Sequence, residues 1–135
     1  MANVLFVCVH NAGRSQMSQA LFERLAGENH QAKSAGTEPA ARIHPSVVKA
    51  MREVAIDLSN REPRRLTDEL AQWANVVVTM GCGDACPVIP GRRYLDWDLR
   101  DPKDLPLDEV RAIRDDIAHR VATLVKDLDR ARIRG

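Results

Sequence analysis

Residues 4–15 read VLFVCVHNAGRS, an apolar run followed by a short loop and the start of an amphipathic pattern. The run at 4–7 is continuously apolar, as in a strand buried on both faces of a parallel sheet. Asn11 and Gly13 are residue types common where the backbone turns sharply. From Ser15 onward, apolar residues recur at the spacing of one helix face, at Met17, Ala20, Leu21 and Leu25. The stretch therefore predicts a strand, a tight loop and a helix.

Strand and helix patterns alternate along the rest of the chain. Gly27 is expected to end the first helix. Further strands are predicted at 31–35, 75–80 and 92–95, and further helices at 47–54, 66–73 and 107–128. This alternation predicts a single α/β domain over residues 1–135, a three-layer fold with a four-stranded parallel sheet and helices on both faces. We expect the flavodoxin-like strand order, in which functional residues lie beyond the carboxyl ends of the strands.

The composition is that of an ordinary globular domain. The 135 residues include 44% hydrophobic and 29% charged residues and carry a net charge of +1, which does not indicate nucleic-acid binding. No run approaches the roughly 20 apolar residues of a membrane span, and the N-terminal apolar run has no basic leader or cleavage site. We therefore expect a cytoplasmic monomer with no nucleic-acid or membrane partner, whose three cysteines stay reduced.

The loop has the form Cys-x5-Arg-Ser, with Cys8, Arg14 and Ser15 at the defining positions. Backbone N–H groups of a tight loop that enters a helix can surround an oxyanion, and the planar guanidinium of Arg14 can grip two of its oxygens. The same positive field stabilises a cysteine as its thiolate, to which Ser15 can donate a hydrogen bond. A buried cysteine beside a solvent-facing arginine is the alternative. The predicted anion-binding loop comprises Val9, His10, Asn11, Ala12, Gly13 and Arg14.

A second pair of cysteines, Cys82 and Cys86, follows the strand predicted at 75–80. On a helix, side chains four residues apart have Cβ atoms roughly 5–6 Å apart, more than the separation of about 3.5–4.5 Å in a disulfide. Gly81, Gly83 and Pro87 would make the necessary deformation easy, so the segment is suited to changing between reduced and oxidised forms. Incidental surface thiols and half of a metal site are the alternatives. The four histidines are scattered singly, and we predict no metal site.

The motifs together resemble a known family. Residues 7–18, with the run Ser-Ala-Gly-Thr at 34–37, are similar to the low-molecular-weight protein tyrosine phosphatase superfamily. The segment that contains Cys82, Cys86 and the pair Asp101-Pro102 resembles the arsenate reductases of that superfamily. The resemblance covers nearly the whole chain and implies the low-molecular-weight phosphatase fold over residues 1–135.

The resemblance also implies roles for individual residues. Cys8 is expected to be the nucleophile and Arg14 the anion clamp, with Ser15 and Asn11 supporting the loop. Asp101 is expected to be the general acid that protonates the departing oxygen.

The choice of acid stays open on the residues alone. Asp101 could merely cap the turn before Pro102, and Asp96, Asp98 and Asp104 are neighbouring carboxylates.

The implied reaction reduces arsenate to arsenite, for arsenic detoxification, through a redox-active disulfide. Cys8 attacks arsenic, Cys82 then attacks Cys8 as arsenite leaves, and Cys86 attacks Cys82, which leaves a Cys82–Cys86 disulfide. No cofactor is bound in this scheme. The ligands are arsenate, with phosphate or sulfate as analogues, and an external thiol reductant. That reductant is thioredoxin, or mycothiol or glutathione together with a redoxin such as a mycoredoxin-type protein.

Three other functions fit parts of the sequence. A phosphatase of the same superfamily would hydrolyse phosphate monoesters through a Cys8 thiophosphate, but the chain has only five aromatic residues from which to build a phosphotyrosine pocket. A non-enzymatic anion-binding or redox-sensing module would need no acid at Asp101. A phosphocysteine carrier would not require an arginine six positions after its cysteine.

Overall fold

The predicted strands form one four-stranded sheet in the computed structural model, which describes residues 1–81 and 91–134. The strands are β1 (Asn3–Cys8), β2 (Gln31–Gly36), β3 (Val76–Thr79) and β4 (Arg93–Asp96). The helices are α1 (Arg14–Ala26), α2 (Pro45–Arg52), α3 (Asp68–Trp73) and α4 (Leu107–Arg134).

The sheet has the order β2-β1-β3-β4, and every neighbouring pair of strands is parallel. This confirms the predicted flavodoxin-like order. The register sets Cys8 opposite Gly36 and Val7 opposite Thr79, so that β1, β2 and β3 end side by side. The loops that follow these strands therefore start from one edge of the sheet.

Alternate residues of β1 pack into two apolar layers, one on each face of the sheet. Phe6 faces the layer formed with α1, α2 and α4, where its ring centroid lies 5.7 Å from that of Phe22 and 5.9 Å from that of Trp97. Leu5 and Val7 face the layer formed with α3. The three-layer arrangement with helices on both faces is thus confirmed.

Local chemistry sets the helix ends. α2 begins at Pro45, earlier than the predicted 47, because proline is well suited to the first position of a helix. α3 begins at Asp68 and not at 66, because Thr67 Oγ1 accepts a hydrogen bond from the Leu70 N–H (3.2 Å) as an N-cap. α1 ends as predicted before Gly27, which has a φ of 58°.

The prediction that Leu25 belongs to the buried face of α1 is wrong, since its side chain is 53% exposed. Phe22 and Ala26 occupy the core near this end of the helix instead. In the described part of the chain, no helix is both long and apolar enough to cross a membrane.

Glu53 joins the end of α2 to α4. Arg111 donates to its carboxylate from Nε (2.9 Å) and Nη2 (2.6 Å), and Arg114 donates from Nη1 (2.9 Å). These hydrogen bonds, chiefly those from Arg111, lower the pKa of Glu53 from 4.5 to about 2. A carboxyl group with a depressed pKa stabilises the folded protein above its unfolded pKa, and this contribution is lost as the pH falls through the folded pKa.

Glu53→Gln is expected to lower the free energy of unfolding near neutral pH, and to matter progressively less as the pH falls from 4.5 towards about 2. Urea midpoints over this range measure the effect. Glu28→Gln, in the exposed turn after α1, is the matched control. An effect of Glu53→Gln that is equally large at neutral and strongly acidic pH would contradict this account.

Candidate active site

Cys8 ends β1 and is 2% exposed. Its Sγ lies 2.8 Å from Ser15 Oγ, in the first turn of α1, and accepts a hydrogen bond from the Asn11 backbone N–H at 3.3 Å. The sulfur therefore lies at the base of the loop, between the end of a central strand and the start of a helix.

Asn11 holds the loop in shape. Its φ of 49° lies in the left-handed region, which asparagine tolerates better than most residues. Its Nδ2 donates to Ser15 Oγ at 2.7 Å, and its Oδ1 accepts from Gln16 Nε2 (3.0 Å) and from the Arg64 backbone N–H (2.9 Å). Because Ser15 Oγ accepts from Asn11, its hydroxyl proton is available to point at the Cys8 sulfur.

The end of β2 forms the outer wall of the loop. A Cβ atom at Gly36 would lie 2.6 Å from the Val9 carbonyl oxygen and 2.9 Å from the Asn11 nitrogen, so only glycine fits here without a shift. Just beyond it, Glu38 N–H donates to the Val9 carbonyl at 2.8 Å. His10 Nδ1 lies 3.1 Å from the Glu38 carbonyl oxygen, which ties this side chain to the same wall.

Arg14 starts α1 and crosses to the segment after β4. Its side chain is 6% exposed, Nη1 donates to the Leu99 carbonyl (3.2 Å), and Nη2 lies 3.7 Å from Asp101 Oδ2. Gly81 leaves room for the guanidinium, since a Cβ atom there would lie 2.5 Å from Nη1. The solvent-facing arginine that the motif also allowed is therefore wrong.

Of the candidate acids, Asp101 is the one that pairs with Arg14. Its Oδ1 also accepts from the Lys103 N–H at 3.0 Å, so it does shape a turn, as the alternative interpretation proposed. Asp96, by contrast, accepts a hydrogen bond from Thr79 Oγ1 at 2.8 Å, between β3 and β4. The turn bond and the ion pair are compatible, and together they place the Asp101 carboxylate beside the loop.

His44 is a site residue that the sequence did not single out. Its backbone N–H donates to the Ala12 carbonyl at 3.0 Å, and its ring lies beside Gly13. Burial lowers the pKa of His44 below 6.5, and the nearby Asp101 carboxylate partly opposes this effect. Its position directly before Pro45, at the start of α2, was the available signal.

Gln16 was also missed. Besides bonding Asn11, its Nε2 lies 3.3 Å from the Glu62 carbonyl oxygen. The partners that fix the loop through Gln16 and Asn11 come from residues 62–64, far away in sequence, and no local pattern indicates them.

The structure thus brings together Cys8, Arg14, Ser15 and Asp101 around the loop predicted at 9–14. Cys82 and Cys86 lie outside the described residues. Within residues 1–81 and 91–134, no group of three or more His, Cys, Asp or Glu side chains is placed to hold a metal ion.

Comparisons with known proteins agree with this geometry. The model of the low molecular weight phosphotyrosine protein phosphatase family matches residues 3–133. The arsenate reductase of Halalkalibacterium halodurans is 35% identical over 133 residues, which cover 91% of this chain and 94% of that protein.

Solved structures point to the same fold. The thioredoxin-dependent arsenate reductase of Corynebacterium glutamicum has a TM-score of 0.83 and 40% identity, and the match covers 97% of this chain but 63% of that one. An arginine phosphatase from Geobacillus stearothermophilus has a TM-score of 0.87 and 24% identity, and the match covers 99% of this chain and 97% of that one. This likeness concerns the fold.

Removal of the Asn11 amide is expected to weaken both the fold and anion binding. Asn11→Gly keeps the left-handed backbone accessible but leaves buried groups without partners, a loss of about 1–3 kcal/mol in the free energy of unfolding. Asn11→Ala should cost roughly 1–2 kcal/mol more, because alanine is strained at positive φ. Urea unfolding and the Kd for phosphate measure both effects. If both Asn11 variants kept the wild-type stability and the wild-type affinity for phosphate, the Asn11 amide would not hold the loop in shape.

Proposed function

Because the chain belongs to the low molecular weight phosphotyrosine protein phosphatase family, we propose that it is an arsenate reductase of that family. In this proposal, residues 1–135 form a single reductase domain, Cys8 is the nucleophile and an external thiol supplies the electrons. The observation that carries the proposal is the arrangement of Cys8 and the Arg14–Asp101 pair around one loop.

The first step of the proposed reaction is attack of the Cys8 thiolate on arsenic. Arg14 and the N–H groups of residues 9–14 hold the arsenate oxygens, and the planar guanidinium of Arg14 can bind two of these oxygens. A sulfur–arsenic bond forms, an arsenic–oxygen bond breaks, and Asp101 gives its proton to the departing hydroxide, which leaves as water. The position of Asp101 supports this role, because its side chain lies 3.7 Å from the Arg14 guanidinium that would hold the anion.

The second step transfers two electrons. The Cys82 thiolate attacks the Cys8 sulfur, the sulfur–arsenic bond breaks, and its electron pair stays on arsenic, which leaves as arsenite. Cys86 then displaces Cys8, and the Cys82–Cys86 disulfide is reduced from outside. Gly81, the residue before Cys82, lies against the Arg14 guanidinium, and this proximity supports the relay.

The placement of the aromatic residues favours a small oxyanion over a phosphotyrosine. Phe6, Phe22 and Trp97 belong to the layer with α1, α2 and α4. Trp73 and Tyr94 pack against the layer with α3. These are all five aromatic residues of the chain, so both apolar layers use the rings that a phosphotyrosine pocket would need.

We propose thioredoxin as the reductant, because the similar structure from C. glutamicum is described as thioredoxin-dependent. A cellular compartment that keeps thiols reduced suits this partner. Mycothiol or glutathione with a redoxin is the other source of electrons that the three cysteines could accept.

Arsenate-dependent oxidation of NADPH in the presence of thioredoxin and thioredoxin reductase tests the function. We expect sustained turnover with the wild-type protein and none with Cys8→Ser, because serine is a poor nucleophile at neutral pH. Cys86→Ser should stop after one turnover. A parallel assay with a chromogenic aryl phosphate distinguishes the alternative.

Brisk release of phosphate without NADPH oxidation would make the protein a phosphatase. If thioredoxin supports no turnover but mycothiol or glutathione with a redoxin does, the reductant is corrected and the reductase function stands.

Arg14→Lys is expected to lower kcat/KM for arsenate by roughly 100-fold or more, because a point charge replaces a bidentate fork. Arg130→Lys, at an exposed position of α4, is the matched control. Steady-state kinetics of both variants provide the comparison. An equal, small effect of the two changes would rule out the clamp.

A further inference from the structure

We infer that the packing of the Pro102 ring against Gly13, with the His44 ring beside them, positions Asp101 over the anion loop. We call this contact the seat. This inference rests on the proposed role of Asp101 as general acid. It adds Pro102 and His44 as positioning residues outside the anion loop, and it gives Gly13, a residue of that loop, a second role.

Pro102 is the buried member of its segment. Its neighbours Asp101 and Lys103 are exposed, whereas the Pro102 ring packs against the loop at Gly13. A Cβ atom at Gly13 would lie 2.6 Å from Pro102 Cγ and 3.3 Å from Pro102 Cδ. Carbon atoms in good contact lie about 3.5–4.0 Å apart, so even one methyl group on Gly13 would displace the ring.

The ring of Pro102 occupies the space that a side chain on residue 13 would need. Gly13 has a φ of −146°, outside the left-handed region that favours glycine elsewhere in this chain. The space above its Cα is filled by the proline, so the loop and the segment with the acid meet without an intervening side chain.

His44 closes another side of the same space. Its Cδ2 lies 3.5 Å from the position of a Gly13 Cβ atom, and its backbone is tied to the loop through Ala12. The charged groups that act on it are Asp101 and Asp104, which raise its pKa, and His10 and Lys103, which lower it. Burial has the largest effect and lowers the pKa, so the imidazole is neutral near pH 7 and acts as a wall, not as a second cation.

The polar contacts of Asp101 are the 3.0 Å hydrogen bond from the Lys103 N–H and the ion pair with Arg14, and both are open to solvent. Its carboxylate is 41% exposed, and the distance of 3.7 Å to Arg14 Nη2 is that of an ion pair without a short hydrogen bond. Solvent screens such pairs strongly. The packed ring of Pro102, directly after Asp101, provides the rigid contact that these interactions lack.

The seat predicts a selective defect. Displacing Asp101 should slow protonation of the leaving group but leave oxyanion binding by Arg14 and the loop unchanged. Cleavage of phenyl phosphate, whose leaving group needs a proton, should therefore suffer more than cleavage of 2,4-dinitrophenyl phosphate. General acid–base catalysis typically contributes about 10²–10⁴-fold, and we expect Gly13→Ala to change the ratio of the two kcat values roughly tenfold or more.

Pro102→Ala provides the reciprocal variant, because it removes the Cγ and Cδ atoms that a methyl group on residue 13 would meet. Gly13→Ala should then cost little more once residue 102 is alanine, so the two losses should not add. Pro106→Ala, an exposed proline of the same connection, is the matched control. The phosphate inhibition constant, which reports oxyanion binding, should change less than about threefold in Pro102→Ala and in His44→Ala, which alter residues outside the anion loop.

Equal losses on both substrates, additive losses in the double variant, or loss of phosphate binding in Pro102→Ala would overturn the inference. If Gly13→Ala does not fold, Pro102→Ala and His44→Ala carry the same test. If neither ester is cleaved, the readout is arsenate reduction, where kcat should fall at unchanged KM. A wild-type protein that shows the leaving-group effect but reduces no arsenate would refute the proposed function and leave the seat standing.

Discussion

The amide of Asn11 is the constraint on which the anion loop depends. A loop that directs N–H groups inward needs partners for its other polar groups, and buried groups without partners are costly. Asn11 bonds Ser15, Gln16 and the backbone of Arg64 at once, at 2.7–3.0 Å. The position of the Cys8 sulfur follows, since two of its neighbours, Ser15 Oγ and the Asn11 N–H, are fixed by this network.

The second constraint is Arg14, which links the anion loop to the segment after β4. Arg14 is buried and donates to the Leu99 carbonyl, so the proposed anion clamp also holds the segment that carries Asp101. Pro102 packs on the same loop from another direction. The proposed nucleophile and the proposed acid therefore share one support, although they lie on different segments. This arrangement suits a reaction in which attack and proton transfer must occur together.

Local patterns predicted the parts that depend on neighbours in sequence. The strand, loop and helix around Cys8 are adjacent elements, and the Cys-x5-Arg-Ser spacing predicted that Ser15 would lie next to the sulfur. Alternation of strands and helices predicted the parallel sheet, and the flavodoxin-like order expected for it is the one observed. The helices α2 and α3 begin at Pro45 and Asp68, and not at the predicted residues 47 and 66, because helix capping depends on individual side chains. Leu25 was predicted to be buried but is exposed, because helical spacing identifies an apolar face and not how much of that face the core covers.

The rest of the site depends on contacts that no spacing encodes. The bond from Arg64 to Asn11 spans 53 residues, and that from Arg14 to Leu99 spans 85. His44 was overlooked because a single histidine carries no pattern, and its role depends on the packing of α2 against the loop. The resemblance that singled out Asp101 supplied what local physics could not, and the ion pair with Arg14 supports that choice.

The central claim is that the thiols of this chain supply the two electrons that convert arsenate to arsenite. The most direct measurement is a single-turnover experiment in which the fully reduced protein is mixed with excess arsenate and no reductant, and thiols and arsenite are counted. The account predicts one arsenite released per chain and two of the three thiols lost to a disulfide. An unchanged thiol count, with no arsenite formed, would contradict it.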